Sequence, residues 1–412
     1  ILVIGSGGRE HALCWKLRQS KRVQTLFCAP GNPGIARVAE LVAIGVDKLT
    51  ELADFAEKQK IDITIVGPEY PLSLGIVDVF QSRGLKIFGP SKAASQLESS
   101  KSFAKEIMTA AGVPTAAYET FTDLAATEAW LRLHPGPIVL KADGLAAGKG
   151  VFVCKDSAEA SQAAQSLFTE MKATKVVAEE FLDGKEASFI VAANGNAIVP
   201  LAAAHDYKRI FDGDEGPNTG GMGSVCPTNH VSSEQCAWAL EHVMRPVIRE
   251  MERRGIPFSG FLYGGLMISP QGKISVLEFN ARMGDPETQS IMRMLESDLV
   301  DLIEGLLAGK TPTAQWKQES SVCLVLAAEG YPQDVRTGDE ISGLEFAETV
   351  PGAVVFHAAT KMAERSKLVT SGGRVLGVSA VGKDLAEARS KAYRAADLIQ
   401  FRGRQLRRDI AQ

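Results

Sequence analysis

Val276-Leu277-Glu278-Phe279-Asn280-Ala281-Arg282-Met283-Gly284-Asp285-Pro286-Glu287-Thr288-Gln289 changes its period halfway along. Leu277, Phe279 and Ala281 alternate with Glu278, Asn280 and Arg282, the two-residue period of a strand. Side chains two residues apart on a strand point the same way, about 6–7 Å apart. Glu278 and Asn280 therefore offer a carboxylate and an amide oxygen on one face. Such oxygens suit Mg²⁺, which keeps several waters and shares substrate phosphates. Arg282, next on that face, can fork onto a phosphate oxygen. Gly284-Asp285-Pro286-Glu287 then predicts a turn into a helix, with Asp285 at the cap and Pro286 at the first position. The competing reading is an ordinary strand with a solvated polar face, and the flanking chain has to decide between them.

Phe258–Ile268 and Lys273–Asn280 flank Pro270-Gln271-Gly272, which predicts the hairpin that carries this strand. A long helix over Ser233–Arg253 precedes it. Helices Glu287–Leu295 and Leu299–Leu307 and a linker over Gly309–Trp316 follow. Residues 320–412 read as a last α/β unit, with strands at Val322–Ala327, Val354–Ala359 and Val375–Ala380 and a helix at Leu385–Leu398. At the other end, residues 1–90 alternate strands (Ile1–Ile4, Val23–Cys28, Ile61–Val66, Lys86–Phe88) with helices (Arg9–Gln19, Leu49–Lys58, Leu72–Arg83). That alternation predicts an open parallel sheet covered on both faces. Between the two ends, a helix over 101–111 stops at Gly112-Val113-Pro114. A smaller unit follows, with strands Pro137–Lys141, Val151–Cys154 and Lys175–Phe181 and a helix Ser157–Leu167. Strands Ala187–Ala193 and Ile198–Ala204 complete the middle of the chain.

Several stretches have the composition of ligand-binding loops. Gly5-Ser6-Gly7-Gly8-Arg9-Glu10-His11 enters a helix, where backbone N–H groups can meet an anion. It is not a dinucleotide fingerprint. The third glycine falls at Glu10, and the second strand ends in Ala29-Pro30-Gly31-Asn32 without a ribose-binding acid. A phosphorylated small molecule fits better, with a purely structural turn as the alternative. Gly67-Pro68-Glu69 follows the third strand and opens on the same crevice. The loop Ala142–Gly150 joins two strands and misses the Walker spacing. It reads either as a cover over phosphates, with Lys141 and Lys149 adding charge, or as a flexible hairpin. Glu179-Glu180-Phe181-Leu182 ends a strand whose backbone edge suits a flat base, and a nearby acid could take ribose hydroxyls. His205-Asp206-Tyr207-Lys208-Arg209 and Gly216–Gly223 are too polar and glycine-rich for a core, which predicts a surface loop carrying binding groups.

Composition narrows the classes. The 412 residues suffice for two to four domains, and 45% hydrophobic with 23% charged residues is ordinary for a globular protein. A net charge of −4 gives no overall attraction to nucleic acid or anionic membrane, so neither is expected as a partner. The six cysteines are scattered without a Cys-x-x-Cys pair, which argues against zinc and structural disulfides and for a reducing, cytoplasmic location. No apolar run reaches membrane-spanning length, and the chain opens directly on a strand pattern with no signal peptide ahead of it. His134, His230, His242 and His357 show no ligand spacing and read as structural or surface groups.

Taken in order, Gly7–Ala12, Gly67–Glu69, Lys141–Gly150, Glu179–Gly184, Gly216–Gly223 and Glu278–Gln289 resemble the ATP-grasp superfamily and, within it, the glycinamide ribonucleotide synthetase family, over essentially the whole chain. The resemblance implies an α/β fold with an N-terminal open parallel-sheet substrate domain (1–100), an ATP-grasp central domain (101–312) and a small C-terminal α/β domain (313–412). The central domain would include a mobile lid at about 113–182. It further implies an ADP-forming ligase that joins glycine to 5-phosphoribosylamine through glycyl phosphate in purine biosynthesis, using ATP and Mg²⁺ or Mn²⁺. By the same resemblance Lys101, Lys141, Gly144, Gly148, Lys149, Glu179, Glu180, Phe181, Leu182 and Glu186 would bind ATP. Glu278 and Asn280 would hold the metal, and Arg282, Lys208 and Asp206 would act on the reacting groups. Gly7, Gly8, Arg9, Gly67, Pro68, Glu69, Arg209, Asn218, Thr219, Gly220, Gly221, Asp285, Pro286, Glu287 and Thr288 would meet the other substrates. His205, Tyr207, Ala281 and Met283 depart from the family pattern, and the lid hairpin near Glu170–Lys175 is shorter than expected. A monomer is expected, with a weak dimer as the alternative. Rival readings are an ATP-grasp carboxylase acting on a purine precursor and a nucleotide-binding sensor without catalysis.

Overall fold

The computed structural model describes residues 1–145 and 150–412. Its first sheet is parallel, with strands in the order Glu40–Leu41, Phe27–Pro30, Leu2–Gly5, Thr64–Val66, Ile87–Phe88. The order reverses beside Leu2–Gly5, so the turn after that strand and the loop at Gly67 share one crevice at the carboxyl ends. The expected helix over Leu72–Arg83 is two helices, Glu69–Leu74 and Ile76–Ser82. Gly75 separates them at φ +100°, a left-handed conformation that glycine adopts without steric cost.

A four-stranded antiparallel sheet forms the centre, in the order Ala197–Pro200, Lys185–Asn194, Ser259–Ile268, Ile274–Asn280. Both its faces are covered. Phe189, Val191 and Leu262 pack with Met244, Val247 and Met251 on one side. Ile190, Ala192 and Phe261 pack with Leu13, Leu17 and Phe88 of the N-terminal unit on the other. Alternate residues of one strand thus anchor two layers, each large apolar side chain contributing about 1.5–3 kcal/mol. The helix over Ser233–Arg253 runs as expected, but with a wider π turn at Leu240–Met244 just before Pro246, which has no N–H to donate.

A second antiparallel sheet lies across the cleft, in the order Tyr118–Phe121, Val176–Glu180, Ile138–Ala142, Val151–Cys154. The hairpin Ile138–Ala142 and Val151–Cys154 was legible, whereas Tyr118–Phe121 and the helix Leu124–Leu133 were not expected. Asp123 caps that helix, accepting from Ala126 N at 2.8 Å. The C-terminal sheet is antiparallel, in the order His205–Asp206, Gly223–Cys226, Ser320–Ala327, Arg374–Gly382, Ala353–His357, with the helix Leu385–Leu398 on its face. The surface-loop expectation holds for Gly216–Gly220, which are exposed or half-buried, and is corrected at His205 and at Gly221–Gly223, which are buried. Met222 is fully buried and Gly223 opens a buried strand, hidden in the sequence because its glycines carry no apolar side chain. No helix among the described residues is long and apolar enough to cross a membrane.

Candidate active site

The sheets meet around a cleft whose cavity is about 420 Å³. One wall is the strand Ile274–Asn280 and the turn after it. The ladder shifts by one residue between Gly265 and Leu266, opposite Leu277, so the expected alternation breaks there. Val276 and Phe279 stay in the core, while Leu277 lines the cleft with Glu278 and Asn280. The helix that follows also starts differently from expectation. It spans Glu287–Met294 with Pro286 at the cap position. Asp285 is not the cap; its carboxylate accepts from Gln289 Nε2 at 2.8 Å and lies 3.4 Å from Arg374 Nη2.

The Glu278 carboxylate makes no hydrogen bond or ion pair with another of the described residues, although four cations surround it. Partial burial pushes its carboxyl up, but Lys208, Lys141, Lys101 and Arg282 outweigh this and hold it below the ordinary value. An ionised carboxylate without a bonded partner, beside an amide oxygen, is a donor set that fits a hard divalent cation. Among the described residues no three His, Cys, Asp or Glu side chains cluster as a ready-made metal cage. Asn280 Oδ1 accepts from Arg282 Nη2 at 3.1 Å.

Arg282 is locked. Glu98 Oε1 lies 2.8 Å from its Nη2, Glu69 Oε2 lies 3.4 Å from its Nε, and Met283 O accepts from its Nη1 at 3.1 Å. Burial works against the charged guanidinium, but Glu98 and Glu69 raise its pKa above the ordinary value. Glu98 also accepts from Ala281 N at 2.8 Å, pinning strand end to helix.

Facing this wall are lysines from two other elements. Lys101 opens the helix Lys101–Ala110, capped by Ser100, whose hydroxyl accepts from Phe103 N. Its ammonium donates to Gly144 O at 2.8 Å. Lys141 and Lys105 share the buried carboxylate of Glu179, Lys141 at 2.9 Å and Lys105 at 3.1 Å, and Lys141 also donates to Leu277 O at 3.1 Å. Burial lowers Lys105 to about 8 despite Glu179. Gly148 and Lys149 lie outside the described residues. Glu180, Phe181 and Leu182 follow at the strand end but do not line the cavity, and Phe181 is 40% exposed. Glu186 is also outside it, paired with Lys208.

On the remaining side stand Asp206, Lys208, Thr219 and Gly220, with Glu287 and Tyr263 beneath them. Ser188 Oγ donates to Glu287 Oε1 at 2.9 Å and lies 3.0 Å from Tyr263 Oη. Desolvation pushes the Asp206 carboxyl up; Lys208 opposes this, Glu287 and Glu186 add to it, and the value reaches about 7. Lys208 is held well above the ordinary lysine value, since Glu186 and Asp206 outweigh burial. Arg209 and Asn218 pair across the short ladder beyond the cavity, where Arg209 Nη1 donates to Gly216 O at 2.6 Å. Gly221, Pro286 and Thr288 lie behind the wall, Thr288 Oγ1 bonding back to Gly284 O.

The N-terminal turn reaches the cavity through Arg9 and Glu69, while Gly7, Gly8, Gly67 and Pro68 stand outside it. The buried carboxylate of Glu10 explains two of those glycines. It accepts from Gly7 N at 2.6 Å, and a Cβ on Gly67 would sit 2.2 Å from Glu10 Oε1. Leu97, Glu98, Lys105, Tyr263, Tyr331 and Arg374 line the cleft without having been anticipated. They come from ordinary helices and strands, and in the case of Tyr331 from the turn after Ser320–Ala327, with no local motif.

Two sheets gripping one cleft, with lysines on one side and an oxygen-ligand strand on the other, define an ATP-grasp protein. Family models match in sequence: the phosphoribosylglycinamide synthetase N domain over residues 1–98, its ATP-grasp (A) domain over 99–288 and its C domain over 321–412. The phosphoribosylamine–glycine ligase of Escherichia coli O6:H1 is 48% identical over 418 residues, covering 100% of this chain and 97% of that protein. The crystal structure of the phosphoribosylamine–glycine ligase from Thermotoga maritima superposes with a TM-score of 0.86 at 32% identity, covering 99% of each chain. The chain belongs to the phosphoribosylglycinamide synthetase family. The biotin carboxylase domain of a 2-oxoglutarate carboxylase from Hydrogenobacter thermophilus, solved with MgADP, shares the fold, with a TM-score of 0.73 at 15% identity, covering 98% of this chain and 91% of that one.

Proposed function

We propose that this chain is an ADP-forming carbon–nitrogen ligase that joins glycine to 5-phosphoribosylamine, giving glycinamide ribonucleotide, ADP and phosphate in purine biosynthesis. The observation that carries the reading is the cleft itself. The Glu278 carboxylate, without a bonded partner among the described residues, two lysines and a locked arginine face the Asp206–Gly220 side across one cavity. That is the arrangement a phosphoryl transfer followed by amide formation requires. A carboxylate alone cannot expel oxide, so its activation by phosphate precedes attack by an amine.

In this reading a glycine carboxylate oxygen attacks the γ-phosphorus of ATP, and the bond to the β-phosphate oxygen breaks, releasing ADP and leaving glycyl phosphate. Lys101, Lys141 and Arg282 neutralise charge on the transferring oxygens, so their contribution is position and electrostatics. The amine nitrogen of phosphoribosylamine then attacks the acyl carbon, phosphate leaves with its electron pair, and the nitrogen sheds a proton. Asp206, with a carboxyl near 7, is matched to accepting that proton at neutral pH. Glu278 and Asn280 would hold Mg²⁺, or Mn²⁺ in its place, and the ion would supply charge neutralisation on the phosphates. Arg9 and Glu69 stand on the phosphoribosylamine side. Glu180–Leu182 and Glu186 would border the nucleoside, and the loop Gly144–Gly150, part of which lies outside the described residues, would cover the phosphates.

The test is ADP release from Mg-ATP with glycine, with and without phosphoribosylamine generated in the assay. The ligase requires all three, with one ADP formed per amide. ADP release that ignores glycine and the amine, or nucleotide binding without turnover, would sink this reading in favour of a carboxylase or a sensor.

A further inference from the structure

The C-terminal sheet sends two polar side chains to the cleft, and both close on one residue of the turn opposite. Arg374, at the start of the strand Arg374–Gly382, donates through Nη1 to the carbonyl oxygens of Gly220 and Asp285, the second at 2.6 Å. Tyr331, beyond the end of the strand Ser320–Ala327, accepts at its hydroxyl from Gly220 N at 2.9 Å. Gly220 is thus held by its N–H and its C=O from the same sheet. The approach is close on both sides. A Cβ on Gly220 would lie 3.0 Å from Arg374 Cζ, and a Cβ on Gly373 would lie 2.2 Å from the Tyr331 ring. The other end of the turn is tied to the catalytic side, where Thr219 N donates to Lys208 O at 2.7 Å and Thr219 Oγ1 accepts from Gly221 N at 2.9 Å.

We propose that Arg374 and Tyr331 are positioning residues which lock the Thr219–Gly221 turn, so that the C-terminal domain sets the acceptor side of the cleft, Tyr331 through Gly220 alone and Arg374 through Gly220 and Asp285 together. The inference rests on the ligase reading above. Its physical basis is that Gly220 is the exposed residue of the turn, whose N–H and C=O meet Tyr331 and Arg374, while Thr219 and Gly221 are tied to the Lys208 side. Two directional contacts from a packed sheet remove the backbone freedom of that glycine. Arg374 adds a second tie, because its Nη2 lies 3.4 Å from Asp285 Oδ2 and thereby couples the turn to the metal-side wall.

Tyr331→Phe deletes one oxygen and keeps the ring on Gly373, so it tests the contact without disturbing packing. The expected result is a fall of about tenfold in kcat/KM for the acceptor substrates, the worth of one directional hydrogen bond, with KM for Mg-ATP and the thermal midpoint unchanged. Arg374→Lys keeps the charge but loses the planar fork that also holds Asp285, and is expected to lower kcat/KM for the acceptor substrates and to raise KM for Mg-ATP as well. A wild-type chain that forms no amide overturns the ligase reading and this inference together. With an active wild type, unchanged acceptor kinetics in Tyr331→Phe, or an equal loss for Mg-ATP and acceptors, overturns the positioning role alone.

Discussion

The turn-bearing wall at Glu278–Glu287 and the strand edge at Glu180–Glu186 both belong to the expected nucleotide site, yet they are organised in opposite ways. On the wall, Arg282 is bonded to Glu98, Asn280 and Met283, and Asp285 to Gln289 and Arg374. On the edge, Glu180 and Phe181 are exposed and Glu186 has turned to Lys208. The difference matches what each would have to do. Charge that moves during phosphoryl transfer needs dipoles and cations already in place, because reorganising them during the reaction costs rate. A flat base needs only the backbone groups that any strand end offers.

The largest effect should follow from Glu278→Gln, which removes the wall's carboxylate that no described residue bonds, at nearly constant volume. Turnover is expected to fall about 10²–10³-fold, with the loss only partly recovered at high Mg²⁺, while the melting midpoint moves little. ADP release across a magnesium titration, with a thermal melt alongside, would measure both. Full activity in this variant would remove the metal from this wall.

Asp206→Asn sharpens the comparison by titration. In the folded chain without nucleotide or metal, the Asp206 carboxyl is raised to about 7 from an ordinary value of 3.8. Between those values the folded state binds more protons than the unfolded one, so this residue makes stability fall as pH rises, and the fall ends near 7. Asp206→Asn should therefore melt higher than wild type at pH 8, by an amount on the order of 1–3 kcal/mol, and the gap should close toward pH 4. A gap that stays constant with pH would mean the Asp206 carboxyl does not carry the proton on the side facing that wall.

How much of this was legible depended on whether the signal was local. The parallel sheet could be read because Leu2–Gly5, Thr64–Val66 and Ile87–Phe88 are short apolar runs between helical stretches. Glu278, Asn280 and Arg282 could be read because one strand holds all three. Glu98 could not: its role comes from a contact with Arg282 across 184 positions of sequence, and a lone glutamate in a short helix looks like any solvated charge. Lys105 and Arg374 were hidden in the same way. The strand Gly223–Cys226 was missed for a different reason, since a buried strand of small residues has no hydrophobic periodicity to detect. Asp285 was misassigned because a helix-start pattern does not reveal that Gln289 and Arg374 compete for the carboxylate that would form the cap.

The smallest effect is expected on the edge, and it decides what Glu186 is for. If its carboxylate takes ribose hydroxyls, Glu186→Gln should raise KM for Mg-ATP by about two- to tenfold, one hydrogen bond's worth, with kcat nearly unchanged. The same loss should appear when wild type is given ATP lacking the ribose hydroxyl, and combining the two changes should cost no more than either, because both delete one contact. If the two losses multiply instead, Glu186 does not touch the ribose. Its bond to Lys208 would then be its purpose, and the variant should show its defect in glycine and phosphoribosylamine kinetics. That outcome would move Glu186 from the edge to the Asp206–Gly220 side and leave the base to the backbone of the strand end.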